Sequence, residues 1–206
     1  MARSTFHILY SDIGGVLGTN GWDTGLRHRI AEHFKVESHE IESRHALTFD
    51  TFERGFMTFE QYLDYVFFSS PRRFTLEEVR DYAYNASTPW PQNITFYETL
   101  KVANNLKLAL ISNEGSGLTQ HRVRKFGLRN LADFLVFSCA THMRKPDPAI
   151  WGLALELAQA LPEESIYIDD RKMFVDIAAE HGFTAIHYTS LEKLRGQLSE
   201  LDLIVP

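Results

Sequence analysis

The chain has 206 residues, 44% of them hydrophobic and 13% aromatic, which is enough for one substantial core and a small second lobe and argues against disorder. Its net charge of −6 is spread over interspersed acids and bases with no basic face, so nucleic acid is a poor candidate partner. The one cysteine, Cys139, excludes an internal disulfide and fits a reducing compartment, and no apolar run approaches the ~18 residues of a membrane span; a cytoplasmic protein without membrane attachment is expected.

The first apolar run, Phe6–Ser11, reads as a strand, and the start "MARSTFHILYSD" has too short an apolar stretch for a signal peptide. After Leu17 the pattern turns helical: Thr24–Phe34, a piece near Ser38–Leu47, Thr58–Ser69 and Thr75–Ala86. Thr58 and Thr75 are good N-caps, since "TFEQ" and "TLEE" both match the capping-box spacing. "TPWPQN", Thr88–Asn93, closes this region through two prolines. The remainder alternates apolar runs with amphipathic stretches. Helix Ile94–Asn104 precedes strand Leu106–Ser112. Helix Gly117–Phe126, stopped by Gly127, precedes strand Phe134–Ser138. Helix Pro148–Gln159 precedes strand Ser165–Asp169, and Phe174–His181 precedes strand Thr184–Tyr188. Helix Leu191–Leu201 closes the chain. The strands are apolar on nearly every residue, the mark of a sheet covered on both faces. The expected fold is therefore α/β, a doubly wound, mostly parallel sheet, with the helices of Gly18–Trp90 inserted after the first strand as a lid over the sheet's carboxyl edge.

The chemically able residues stand at strand ends. Asp12 follows the first strand, Ser112 and Asn113 the second, Lys145 lies in "MRKPDP" after the third, and Asp169 and Asp170 close "YIDD". Each alone has an ordinary reading: a turn or cap for Asp12 and for the acid pair, turn chemistry for Ser112 and Asn113, a solvated surface lysine for Lys145. A parallel sheet brings all of them to one edge. Together they suit phosphoryl transfer: a carboxylate able to attack phosphorus, acids that call for a hard cation such as Mg²⁺, and a hydroxyl, amide and ammonium for phosphate oxygens.

The motifs "SDIGGVL", "LALISNEG", "RKPDP" and "YIDDR", in this order and with a cap-sized gap after the first, resemble those of the haloacid dehalogenase-like (HAD) hydrolase superfamily, in the branch with a helical cap after motif one. The resemblance implies a Rossmannoid core of residues 1–17 and 91–206 and a helical cap of residues 18–90. It implies a Mg²⁺-dependent phosphatase for a small phosphorylated metabolite, working through an aspartyl-phosphate. Asp12 matches the nucleophile, Ser112 and Asn113 the phosphate-holding motif, and Lys145 the lysine that steadies nucleophile and phosphoryl group. The Gly14 backbone carbonyl and Asp170 match metal ligands with Asp12, and Asp169 supports the metal directly or through water.

Two departures bear on function. Phosphatases of the family usually carry a second Asp where this chain has Gly14; it protonates the leaving group and then activates water, a role typically worth about 10²–10⁴ in rate. An Asn common in relatives four residues after the last acid is Phe174 here. Three readings follow: a phosphatase for good leaving groups such as acyl phosphates or sugar 1-phosphates, or with Glu114 or Asp23 as a replacement acid, though both also read as solvated acids; a non-catalytic ligand-binding or interaction protein of the same fold; and a metal-free 2-haloacid dehalogenase. Thr19, Asn20, Trp22 and Glu114 are candidate specificity residues. Phe49, Phe52 and Phe56 read as the core of the helical lobe, Glu53 and Arg54 as an acid–base pair, and Cys139 as a buried thiol at a strand end. His28, His33, His39 and His45 read as surface residues, because their spacings of 5, 6 and 6 miss the i, i+4 pattern of a helical metal site. Oligomeric state is not readable from the sequence.

Overall fold

Five strands, β1 (Ile8–Ser11), β2 (Lys107–Ser112), β3 (Phe134–Phe137), β4 (Ser165–Asp169) and β5 (Thr184–His187), form one parallel sheet in the order β3-β2-β1-β4-β5. The computed structural model describes residues 6–206; residues 1–5, where the segment read as too short for a signal peptide begins, lie outside the described residues. In the register, Leu9 stands beside Leu108 on one side and Ile166 on the other. The sheet reverses its winding at β1, so the carboxyl ends of β1, β2 and β4 frame one crevice, the place where such sheets bind ligands.

The helices in chain order are α1 (Thr24–Phe34), α2 (Ser38–Glu53), α3 (Phe59–Phe67), α4 (Leu76–Ala86), α5 (Pro91–Asn104), α6 (Ser116–Lys125), α7 (Leu128–Leu131), α8 (Ser138–Thr141), α9 (Ala149–Ala158), α10 (Lys172–Glu180) and α11 (Leu191–Ser199). Alternate residues of each strand point to opposite faces. Leu9, Leu108, Leu110, Ile166 and Ile168 pack with α5 and α11, while Ile8, Tyr10, Ala109 and Ile111 pack with α9 and α10. Both faces being covered explains the non-alternating strand sequences.

A third apolar cluster joins Leu26, Ile30, Ile41, Phe52, Phe59, Tyr62, Val66 and Val79 of α1–α4, and Leu118 of α6 extends into it. The caps read from sequence form: Gln61 N–H donates to Thr58 Oγ1 at 3.1 Å and Thr58 N–H to Gln61 Oε1 at 2.9 Å, and Thr75 and Glu78 do the same at 3.2 and 2.7 Å. Helix α2 runs past Leu47 to Glu53, because Phe52 finds the lobe's core, stacking on Phe59 and Tyr62. Phe56, by contrast, is 64% exposed and stacks on His142. Cys139 lies in the single turn α8 rather than at a strand end, and it is half-buried. His45 is not a surface residue. It is half-buried, with Nδ1 2.7 Å from the Tyr62 hydroxyl. Among the described residues, no helix is long and apolar enough to cross a membrane.

Candidate active site

Asp12 follows β1 and remains tied to the sheet by its N–H, which donates to Ile168 O at 2.9 Å. Its side chain is almost wholly buried. The centre of the site is Lys145, which is 1% exposed instead of solvated. Its ammonium donates to Asp169 Oδ2 at 2.6 Å and Ile111 O at 3.1 Å, and stands 3.2 Å from Asp12 Oδ1 in an ion pair that lacks hydrogen-bond alignment. The Phe174 ring lies 5.1 Å beneath it and the Tyr167 ring 5.9 Å away. Phe174 thus gives the lysine an aromatic face, a cation–π contact. Burial by itself would push the ammonium down; Asp12 and Asp169 outweigh it, and the Lys145 pKa is raised.

The two acids after β4 differ. Asp169 is fully buried with both oxygens engaged: Oδ2 accepts from Lys145 and from the Tyr167 hydroxyl, and Oδ1 from Arg171 N–H at 2.8 Å. Asp170 Oδ1 is buried without a hydrogen-bond partner, as is Asp12 Oδ1. Burial, with the Asp12 and Asp169 charges adding to it, pushes Asp170 up to about 6. Burial likewise raises Asp12, against the pull of Lys145. One oxygen from each of Asp12, Asp169 and Asp170 lies within 4.8 Å of the others, and these three acids could hold a metal ion. Asp170 Oδ1, buried without a partner, is a hard donor whose burial is costly unless a cation meets it.

Gly15 has φ +68, and a Cβ there would fall 2.2 Å from Asp170 Oδ2, so only glycine lets this carboxylate approach the motif-one backbone. At Gly14 a Cβ would meet Asn20 Oδ1 at 2.6 Å. The space beside Gly14 is therefore filled by the Asn20 amide, which cannot deliver a proton.

Ser112, buried at the end of β2, lines the same cavity as Asp12. The Asn113 side chain is committed elsewhere. Its Nδ2–H donates to Lys145 O and its Oδ1 accepts from Lys145 N–H, both at 2.8 Å, so it holds the lysine's backbone from two sides. Of the specificity candidates, Asn20, Trp22 and Glu114 line the cavity of about 70 Å³ and Thr19 does not. Thr19 braces the return from the helical lobe, bonding Thr88 through N–H to O and through Oγ1 from N–H, both at 2.9 Å. Asp23 lines the cavity, but its Oδ1 caps α1 by accepting from Leu26 N–H at 2.7 Å. Glu114 is not a solvated acid: it is 6% exposed, with Oε1 3.1 Å from Arg122 Nε and Oε2 buried and unpartnered.

Sequence reasoning missed Arg144, which sits beside Lys145 in the motif that was read. Arg144 also lines the cavity, donating from Nε to Glu53 Oε2 at 2.9 Å with Nη2 at 2.7 Å from the same oxygen. Glu53 therefore pairs with Arg144 across the lobe boundary, and Arg54 turns instead to Asp50 at 3.5 Å. The Arg122 partner of Glu114 was missed too; a buried arginine on a polar helix leaves no sequence signal.

The family of haloacid dehalogenase-like hydrolases matches residues 26–187, which include Ser112, Lys145, Asp169 and Asp170 but not Asp12. A phosphorylated carbohydrates phosphatase of Thermotoga maritima is 31% identical over 85 residues, covering 41% of this chain and 39% of that protein. The bifunctional epoxide hydrolase 2 of Mus musculus is 37% identical over 82 residues, 36% of this chain and 15% of that protein. The chain thus spans well under half the length of either curated relative. Among solved structures, a HAD family enzyme of Bacteroides thetaiotaomicron in a magnesium complex superposes with a TM-score of 0.78 at 19% identity, covering 94% of this chain and 98% of that one. The same enzyme with magnesium and inorganic phosphate gives 0.73 at 20% identity over 92% and 98% of the two chains. On the extent of the family match, and with motifs two to four brought to one sheet edge beside Asp12, the chain belongs to the haloacid dehalogenase-like hydrolase family.

Proposed function

We propose that the protein is a Mg²⁺-dependent phosphate-monoester hydrolase for a small phosphorylated metabolite, with Asp12 as nucleophile. The observation that carries this reading is the buried Lys145 held against Asp12 and Asp169, with the unpartnered Asp170 Oδ1 close to both acids. Magnesium and phosphate in the fold neighbour, and a phosphatase among the relatives, agree with it.

In this reading Asp12 Oδ attacks phosphorus and forms an aspartyl-phosphate that water later cleaves. Lys145 neutralises Asp12 before attack and the phosphoryl oxygens after it. Asp169 and Asn113 are positioning residues: one orients the ammonium, the other the lysine's backbone. Ser112 takes a phosphoryl oxygen. Asp12, Asp170 and the Gly14 carbonyl would hold Mg²⁺, with Asp169 behind them, and the ion when bound supplies the positive charge that three acids and a phosphate require. We take residues 18–90 as the cap and residues 1–17 and 91–206 as the core, a division supported by the separate apolar cluster of α1–α4. The cavity at the site has a volume of about 70 Å³, which favours small substrates. A haloacid fits poorly, because its carboxylate would join three others around one lysine.

The test is turnover of acetyl phosphate and p-nitrophenyl phosphate with and without Mg²⁺. Wild-type protein should hydrolyse both only with the ion, and Asp12→Asn should fall to the assay floor. Unchanged turnover in Asp12→Asn would end the assignment of the nucleophile.

A further inference from the structure

The cavity raises a chemical question. An alkyl leaving group departs poorly without a proton, and position 14, which could have given one, holds a glycine covered by an amide. The acidic side chains lining the cavity besides Asp12 are Asp23, Glu53 and Glu114. Asp23 is occupied as the cap of α1, and Glu53 is occupied by Arg144. Glu114 differs from both. It sits two residues past Ser112, is more than nine-tenths buried, and has Oε1 beside Arg122 Nε at 3.1 Å, while Oε2 has no partner. Its backbone is tethered, for Glu114 N–H donates to the buried Ser138 Oγ at 2.9 Å.

We propose, on the phosphatase reading above, that Glu114 is the catalytic acid–base of this site, giving its proton to the leaving oxygen in place of the missing motif-one acid. As the Asp12 Oδ–P bond forms, the bridging P–O bond breaks; the leaving oxygen keeps the bonding electrons and takes the Glu114 proton, departing as an alcohol. In the second half the Glu114 carboxylate takes a proton from water as that water's oxygen bonds to phosphorus. The Asp12 Oδ–P bond then breaks, and inorganic phosphate, the Asp12 carboxylate and a protonated Glu114 result. The substrate class widens accordingly, from acyl phosphates to small alkyl phosphomonoesters.

The surroundings suit this part. Glu114 and Asp12 line the same cavity and lie close enough for the Asp12 charge to act on the Glu114 carboxyl. The groups facing Glu114 are Arg122 from α6, Asp12 after β1, Glu53 from α2, and Thr119 and Cys139 nearby. Burial raises the carboxyl, and Asp12 and Glu53 add to this; Arg122 and Thr119 oppose it without cancelling it. The geometry also explains Gly21. A Cβ there would fall 2.2 Å from Arg122 Nη1, so the bare backbone lets the guanidinium lie against it while Nε stays in its ion pair with Oε1.

The experiment compares glycerol 1-phosphate, whose alkoxide needs protonation, with p-nitrophenyl phosphate, whose phenolate does not. In Glu114→Gln the amide keeps the shape but carries no transferable proton. We expect kcat/KM for the glycerol ester to fall about 10²-fold or more, and at least about 10-fold further than for the nitrophenyl ester. Adding Gly14→Asp to Glu114→Gln should restore much of the glycerol-ester rate, which a merely structural lesion would not allow. Equal losses on the two esters, or no loss on the glycerol ester, overturn the proposal. If Glu114→Gln fails to fold, the wild-type pH profiles decide. The glycerol ester should show a falling basic limb that the nitrophenyl ester lacks, and superposable profiles overturn the proposal. Wild-type protein that hydrolyses neither ester with Mg²⁺ removes the phosphatase reading, and Glu114's role with it.

Discussion

Gly14 and Gly15 are neighbours in sequence, and alanine at the two should behave very differently. At Gly15 the backbone is left-handed, φ +68, where a Cβ costs about 1–2 kcal/mol. The same Cβ would lie 2.2 Å from Asp170 Oδ2 and 2.5 Å from its Cγ, so the carboxylate has to swing away. A loss of about 2 kcal/mol lowers Tm by about 4–8 °C in a chain of this size. Displacing Asp170 should also weaken Mg²⁺ by at least about 10-fold, the scale seen when a metal ligand's support is disturbed. At Gly14 the only close atom is the Asn20 amide oxygen, 2.6 Å from the Cβ position, at the free end of a flexible side chain. Gly14→Ala should therefore lose less than about 1 kcal/mol and keep its Mg²⁺ affinity. Thermal denaturation without Mg²⁺ and calorimetric Mg²⁺ titration read the two effects separately. Gly15→Ala matching wild type in both, or Gly14→Ala being the worse variant, would refute the reasoning.

Lys145→Met should leave Asp12 and Asp169 as unpaired buried carboxylates, abolish turnover and cost about 3–5 kcal/mol by denaturant unfolding; full stability would mean that the lysine does not compensate them. A double-mutant cycle on Glu53 and Arg144, half-buried partners at 2.7 Å across the lobe boundary, should give a coupling of about 1 kcal/mol, and a value near zero would deny that the pair helps to hold the cap down. Burial, reinforced by Arg27, pushes His45 down to about 4, so the unfolded chain binds a proton there that the native one refuses. Stability should therefore fall as pH drops from about 6.5 towards 4, by about 1 kcal/mol after allowing for the ring's partial exposure; His45→Gln should remove that share of the slope, and parallel curves for the two proteins would contradict it.

Periodicity and spacing reached far into this protein. Five strands without alternation announced a sheet covered on both faces, and a long helical stretch after the first of them announced the lobe. Asp12, Ser112, Lys145, Asp169 and Asp170 stood out because strand ends are where a parallel sheet collects ligands. These are local properties: a strand's burial is written in every residue, and a cap in a pair three apart, as at Thr58 and Gln61.

What only the tertiary structure decided is which groups those residues meet. Lys145 reads as a surface lysine until the end of β1 with β2, β4 and α10 closes around it with two carboxylates and a ring. Asn113 reads as part of the phosphate-holding motif, and the fold shows its side chain also holding the Lys145 backbone. Glu114 reads as a solvated acid until Arg122 and Ser138 bury it, and the gap at Gly14 reads as empty until Asn20 fills it. The reason is physical: burial, ion pairing and close approach depend on distances between segments many residues apart, which the local pattern does not carry. The sequence named the residues able to do chemistry. The fold determined which of them are charged, tethered or free to give a proton.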